Sequence, residues 1–225
     1  VTDPVGRQTL YDYAANGMDV VAIRQLTAPS TYTTIAQFTY NAQHQPLTYT
    51  DGNGKTITYT YNSAGQRLTA TDPLGHVTTY QYDSTGYLTT IKDADNVVVT
   101  TFTYDSASRI ATRKDAASNT LTYEYDNFDR VTKVIFPDAT YEQYQYNKLD
   151  LASKRDRMGL ITQYGYDANR QLISVTDPAN HTTQYEYYPN GTLKKTTDAL
   201  NGTVQRAYDL QGRIISVTDP KGVQT

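Results

Sequence analysis

Cysteine and tryptophan are absent from the 225 residues, and only three glutamates, Glu124, Glu142 and Glu186, occur among 23 acidic side chains. Without cysteine there is no disulfide framework, no thiol nucleophile and no thiolate-held metal. The shortage of glutamate, with little leucine and lysine, argues against a helical bundle or coiled coil. No apolar run approaches the roughly 18 residues of a membrane helix, so membrane insertion is not expected. No charged, apolar leader opens the chain. Twenty basic against 23 acidic residues give a net charge of -3, which leaves no electrostatic footprint for nucleic acid.

What is abundant is tyrosine, 22 residues, together with 37 threonines and a large excess of aspartate over glutamate. Tyrosine and threonine favour strands and aspartate favours turns, so the composition is that of an all-β chain. Aromatic-x-Tyr pairs recur along its length. Their second members are Tyr13, Tyr40, Tyr61, Tyr82, Tyr104, Tyr125, Tyr146, Tyr166, Tyr187 and Tyr208, and after the first interval of 27 the spacing is 20 to 22 residues. These are the anchor tyrosines. Arg206 alone breaks the aromatic series two residues before an anchor.

The rest of the unit follows each anchor. Asp or Asn comes next, then Gly four residues past the anchor, as at Gly65, Gly86, Gly191 and Gly212. An aliphatic residue stands six or seven past it, and a second turn closes the unit, written Asp-Pro-x-Gly at Asp72–Gly75 and Asp219–Gly222. Side chains alternate along a strand, so aromatic-x-Tyr puts both rings on one face and the polar residues between them on the other. Each unit reads as a β-hairpin of two short strands and two tight turns. Leu88–Ile91, Val131–Val134 and Leu172–Val175 are spaced by three, which does not hold one face of a flat strand and predicts a β-bulge or a twist in the second strand. Replacements of the glycine are read at Ser108, Asp129, Asp150 and Arg170, and an extra residue is read before Leu47 and Leu68. The long first interval predicts a longer loop over residues 24–34. Ten such hairpins make a sheet too wide to stay flat, and a curved or spiral strip is expected.

The unit Tyr82-Asp83-Ser84-Thr85-Gly86-Tyr87-Leu88, its Thr-Asp-Pro-x-Gly turn and the following Thr-x-Tyr-x-Tyr resemble the Rhs/YD-repeat family over essentially the whole chain. The resemblance implies a segment of the β-shell of bacterial polymorphic toxins, insecticidal toxin complexes and teneurins. It further implies secretion or a cell-surface location, adjacent repeats as partners, and a toxin or effector as enclosed cargo. The chain opens and stops in mid-repeat, so residues 1–225 are expected to be about ten repeats taken from a longer array. The open strand edges would then pair with further copies.

No catalytic, cofactor-binding or metal-binding residue is expected. The aspartates are periodic, as turn residues are and a unique catalytic pair is not. Asp93-Ala94-Asp95-Asn96 lacks the glycine and terminal glutamate of a calcium loop. His44, His76 and His181 lie in different units without ligand spacing. Gly52-Asn53-Gly54-Lys55 joins two strands and precedes no helix, unlike a phosphate loop. Asn180, Asn190 and Asn201 open Asn-x-Thr sequons, which matter only in a glycosylating host. The tyrosine rows are the structural core of the repeat, and carbohydrate binding by exposed rings is the alternative reading.

Overall fold

A computed structural model describes residues 1–4, 6–28 and 30–225, and every regular element among them is a β-strand. The chain divides into two units, residues 1–119 and 120–225. The first holds β1 Thr9–Tyr13, β2 Val20–Ala28, β3 Thr31–Tyr40, β4 Pro46–Asp51, β5 Thr56–Tyr61, β6 Arg67–Thr71, β7 Val77–Tyr82, β8 Leu88–Lys92, β9 Val98–Tyr104 and β10 Ile110–Asp115. The second holds β11 Thr120–Tyr125, β12 Val131–Ile135, β13 Tyr141–Asn147, β14 Asp150–Arg155, β15 Ile161–Tyr166, β16 Leu172–Thr176, β17 Thr182–Tyr187, β18 Leu193–Thr197, β19 Thr203–Tyr208 and β20 Ile214–Thr218. Within each unit every strand pairs antiparallel with its sequence neighbours, giving a simple meander.

One irregularity recurs in all ten hairpins. In the hairpin anchored by Tyr82, Gln81 faces Thr90 but Tyr82 faces Leu88, so Thr89 is the extra residue of a β-bulge. The equivalent shift occurs beside Tyr13, Tyr40, Tyr61, Tyr104, Tyr125, Tyr146, Tyr166, Tyr187 and Tyr208. The bulge flips the side-chain parity once. Leu88 and Ile91, three apart, therefore stand on the same face as Tyr82 and Tyr80, their register partners. The strands of Val131–Val134 and Leu172–Val175 carry the expected bulge in the same way.

The register also corrects the sequence reading at three places. No residue is inserted before Leu47 or Leu68: Pro46 and Arg67 hold the position opposite the anchor, and Leu47 and Leu68 are themselves the bulged residues. Asp150 does not replace a turn glycine. It pairs with Asn147 across a shortened connection, Lys148–Leu149, in which Lys148 takes φ 54°. Residues 24–34 are not a longer loop. Residues 24–28 lie in β2 and 31–34 in β3, strands nine and ten residues long, with Ala28 facing Thr31. Pro29 lies outside the described residues. The six additional residues of this repeat are β-branched or polar ladder residues such as Thr31, Thr33 and Thr34, which lengthen the strands instead of the turn.

Burial is spread thinly. Among the described residues only Ala36 is buried, and no side chain is fully enclosed. One face carries the tyrosines and aliphatic residues, half-buried against one another. Phe38 and Tyr49, for example, are register partners with ring centroids 5.3 Å apart. The other face carries cross-strand threonine pairs. Their hydroxyls meet at 2.7 Å for Thr39–Thr48, Thr60–Thr69 and Thr103–Thr112, and at 2.8 Å for Thr50–Thr56 and Thr176–Thr182.

Both turns of the repeat share one construction. After Tyr82, Gly86 N–H donates to the Asp83 carbonyl at 3.1 Å and Asp83 N–H donates to the Tyr87 carbonyl at 2.9 Å, with Gly86 at φ 96°. Asp72–His76 repeats this with Gly75 at φ 87°. This is a turn followed by a left-handed residue, the common three-residue hairpin loop. Where the glycine is replaced, Ser108, Asp129 and Arg170 still take φ near +60°. Gly86 lies further from that well than its replacements, and a Cβ there would also meet Gln66 Nε2 at 3.1 Å. Gly86→Val should cost about 1–2 kcal/mol or more in a urea unfolding experiment. Ser84→Val, at an exposed turn position, should stay within about 0.5 kcal/mol. Equal urea midpoints for the two variants would contradict this turn geometry.

Candidate functional site

The feature built most consistently from the repeat is the environment of the anchor tyrosine. Each anchor sits at the end of a first strand, next to the second strand of the preceding hairpin. Tyr82 Oη donates to the Arg67 carbonyl at 2.9 Å, and Arg67 is the residue that immediately precedes the bulge of that strand. The same bond joins Tyr40 to Val20 at 2.9 Å, Tyr61 to Pro46 at 2.8 Å and Tyr104 to Leu88 at 2.8 Å. In the second unit it joins Tyr146 to Val131 at 3.1 Å, Tyr187 to Leu172 at 2.9 Å and Tyr208 to Leu193 at 2.9 Å. A bulge disrupts the backbone ladder, and the hydroxyl takes up a carbonyl at that disruption. Burial pushes the phenols of Tyr40, Tyr61, Tyr104, Tyr166 and Tyr187 above their ordinary range. Tyr166 makes no such bond. It follows the hairpin with the shortened turn.

A side chain five residues past one anchor covers the next anchor's ring or turn. Tyr87 stacks on Tyr104 at 4.9 Å, and the Arg130 guanidinium lies 4.0 Å from the Tyr146 ring centroid. Gln45 Nε2 donates to the Gly65 carbonyl at 2.5 Å, and Gln66 Nε2 to the Gly86 carbonyl at 2.7 Å. The expected structural residues thus fall into two connected rows. Seven anchors bond backward to a bulge, while Gly65 and Gly86 serve both as left-handed turn residues and as acceptors for the preceding turn. Gly191 and Gly212 keep the conformation, with φ 86° and 79°, without that acceptor bond.

The aspartates after the anchors are bound within their own turns. Asp83 Oδ1 accepts from the N–H groups of Thr85 and Tyr87, both at 2.9 Å, and from the Thr85 hydroxyl at 2.7 Å. The Thr85 hydroxyl, then the Tyr87 N–H, holds the Asp83 carboxyl below the usual range. Arg130 does the same for Asp126 through its side chain, and Arg213 for Asp209 chiefly through its backbone N–H. The histidines are also turn partners. His76 lies 2.8 Å from Asp72 and His181 3.0 Å from Asp177, while His44 reaches Asp19 of the preceding turn at 2.9 Å, all at exposed positions. No group of three or more potential metal ligands forms among the described residues. Asp93 accepts from the N–H groups of Asp95 and Val97, the same turn construction as its neighbours.

One polar trio departs from the repeat on the aromatic face. Glu142 Oε2 accepts from Tyr144 Oη at 2.6 Å and faces Lys154 Nζ at 3.6 Å. That hydrogen bond pushes the Tyr144 phenol up to about 12. Its raised pKa makes it a poor proton donor at neutral pH.

The sequence pattern of the RHS repeat family matches residues 40–76, 61–98, 104–141, 146–182 and 187–224. No curated protein matches the chain in sequence. Among solved structures, TcdB2-TccC3 without its hypervariable C-terminal region aligns with a TM-score of 0.64 at 15% identity, over 95% of this chain and 15% of that one. TcdB2-TccC3 itself aligns with a TM-score of 0.61 at 14% identity, over 94% and 17%. The Tc holotoxin pore of Photorhabdus luminescens aligns with a TM-score of 0.59 at 14% identity, over 96% and 17%. The chain therefore spans between 15% and 17% of the length of these structures, and at this identity the likeness is one of fold.

The anchor bond and the turn carboxylates can each be tested. Tyr187→Phe removes the bond to the Leu172 carbonyl and should destabilise the chain by about 1–2 kcal/mol in chemical denaturation. Tyr185→Phe, two residues away on the same face, removes a hydroxyl without a hydrogen-bond partner and should be nearly neutral. Equal losses would show that the anchor bond contributes nothing. The lowered turn carboxyls set the acid limit. A group whose folded pKa is depressed stabilises the fold above its unfolded pKa, near 3.9, and the gain is lost as pH falls through the folded value. The urea midpoint should therefore be flat near neutrality and decline below about pH 4. A profile unchanged down to pH 2 would contradict it.

Proposed function

Because the chain belongs to the RHS repeat family, we propose that it is a segment of a non-catalytic protein wall, which in a longer polypeptide encloses a toxin or effector. The observation that carries this reading is the hydroxyl-to-bulge bond, repeated hairpin after hairpin. Within each of the two units the bonds join hairpin to neighbouring hairpin and serve the sheet itself. Polar groups of the kind that perform acid–base or nucleophilic chemistry are held inside turns, where Asp83, Asp126 and Asp209 accept from their own loops. The fold likeness to TcdB2-TccC3, a toxin-complex component, supports the same reading and points to a secreted or cell-surface setting. Adjacent repeats and the enclosed cargo are then the partners, and strand edges left open would pair with further copies.

A wall of this kind protects what it encloses. In a polypeptide carrying this segment beside an effector domain, the effector should resist limited proteolysis. Replacing Tyr61, Tyr82 and Tyr104 together by Phe should speed its cleavage. Equal cleavage of the effector in both forms, with the triple variant measurably less stable, would overturn the enclosure reading. Glycan binding is the second reading, carried by tyrosines whose hydroxyls are not bonded to the backbone, such as Tyr59, Tyr164 and Tyr185. Saturable glycan binding abolished by Tyr185→Ala would favour it over the wall.

A further inference from the structure

The threonine face is broken at two successive second turns in the second unit. A threonine pair closes the second turn at Thr50–Thr56 and Thr176–Thr182, with hydroxyls 2.8 Å apart, while in the first unit Thr71 faces Val77 and Lys92 faces Val98 at the same position. Between β14 and β15 that pair is replaced by Arg155 and Ile161, which are register partners. One turn earlier, Ile135 and Tyr141 take the same positions. Arg155 leans back over Tyr141, its guanidinium carbon 3.9 Å from the ring centroid, and its Nη1 donates to the Tyr141 carbonyl at 2.8 Å and the Asp156 carbonyl at 3.1 Å. A cavity of about 350 Å³ opens in front of it, within the range of small-molecule sites.

The walls of that cavity have complementary chemistry. Gln143 stands opposite Arg155, and Gln163 stands opposite Ser153, which is on the same face of β14 as Arg155. Gln145 accepts from the Ser153 hydroxyl at 3.2 Å. The Gln143 and Gln163 amides have no hydrogen-bond partner among the described residues. Arg155, like Arg67, Arg113 and Arg206, has no carboxylate within ion-pair distance among them, while Arg109, Arg130, Arg157, Arg170 and Arg213 are each paired with an aspartate. Ile161, roughly half-exposed, gives the cavity one apolar side.

We infer that this cavity binds a small hydroxylated carboxylate. Arg155 supplies the positive charge, the two free glutamine amides each offer a donor and an acceptor for hydroxyl groups, and Ile161 lies against the carbon skeleton. The two amides stand on the strands that flank β14, in adjacent rows: Gln143 shares its row with Arg155 and Ile161, and Gln163 shares its row with Ser153 and Gln145. The site uses the wet face and departs from the repeat, so it does not depend on the wall reading.

Isothermal titration of the full chain with glucuronate, glucose and succinate tests it. Glucuronate should bind saturably, and glucose, without the charge, and succinate, without the hydroxyls, should each bind at least about tenfold more weakly. Arg155→Gln should weaken glucuronate by roughly ten- to a hundredfold. Because Arg155 also bonds two carbonyls, Gln163→Ala, at an exposed side chain without partners, is the second variant: it should weaken glucuronate several-fold with an unchanged unfolding midpoint. Absence of saturable glucuronate binding, equal affinity for glucose, or indifference to both substitutions would overturn the inference. Preference for succinate over glucuronate would overturn its hydroxyl component.

Discussion

The bond from an anchor tyrosine hydroxyl to the carbonyl beside the preceding bulge is the interaction on which the rest depends. In a single-layer sheet almost nothing is buried, and only Ala36 falls below the surface among the described residues. Hydrophobic burial, which holds an ordinary domain together, is available only in half-measures. A hydrogen bond net of water contributes about 1 kcal/mol, and a bulge carbonyl left without a partner in a half-buried place costs about as much again. At seven junctions the residue before the bulge is gripped from both sides. Leu88 faces Tyr82 in its own hairpin and accepts from Tyr104 of the next. Hairpin joins hairpin at that point, which is why the anchor is tyrosine throughout, while the position two residues before it tolerates Phe38, Phe102 and even Arg206.

The turns meet a second constraint within equally few residues. Alternating first and second turns must both reverse the chain over a short span while leaving strand parity intact. A turn followed by a left-handed residue does this, and an Asp or Asn at its start caps two N–H groups that the reversal leaves without ladder partners. Glutamate is one methylene too long for that cap, which accounts for its scarcity. Where glycine is missing the conformation survives, as at His44, Ser108 and Arg170, because the flanking ladders and the Asx cap over-determine it.

Much of this architecture is legible in the sequence because it is periodic. The spacing of the tyrosines gives the hairpin unit, the aromatic-x-Tyr parity gives the two faces, and Leu88–Ile91 at a spacing of three gives the bulge. What is not legible is where a hydroxyl points, since a repeated tyrosine looks the same whether it packs or bonds. The only signal for the bond is that the anchor never becomes phenylalanine. The reading of residues 24–34 failed for a related reason: an interval that is too long does not say whether a turn or a pair of strands has grown. Leu47 and Leu68 misled because the conspicuous aliphatic residue sits in the bulge there, displaced by Pro46 and Arg67 from the position facing the anchor.

A repeat also defines what counts as an exception. In a globular enzyme one arginine among many carries little information, but here each position has a consensus environment against which a departure can be weighed. Glu142 and Lys154 replace apolar or threonine positions on the aromatic face and form a mutually satisfied set with Tyr144, and a satisfied set fixes register without asking for a ligand. Around Arg155 the departure runs the other way. Threonine hydroxyls that would have satisfied each other are replaced by Arg155, an arginine without a carboxylate, and by Ile161, next to two amides without partners and beside open space. Among the described residues, glutamines without partners recur on this face, at Gln184 and Gln205 as well, and what sets this area apart is that an arginine, an apolar side chain and open space stand beside them.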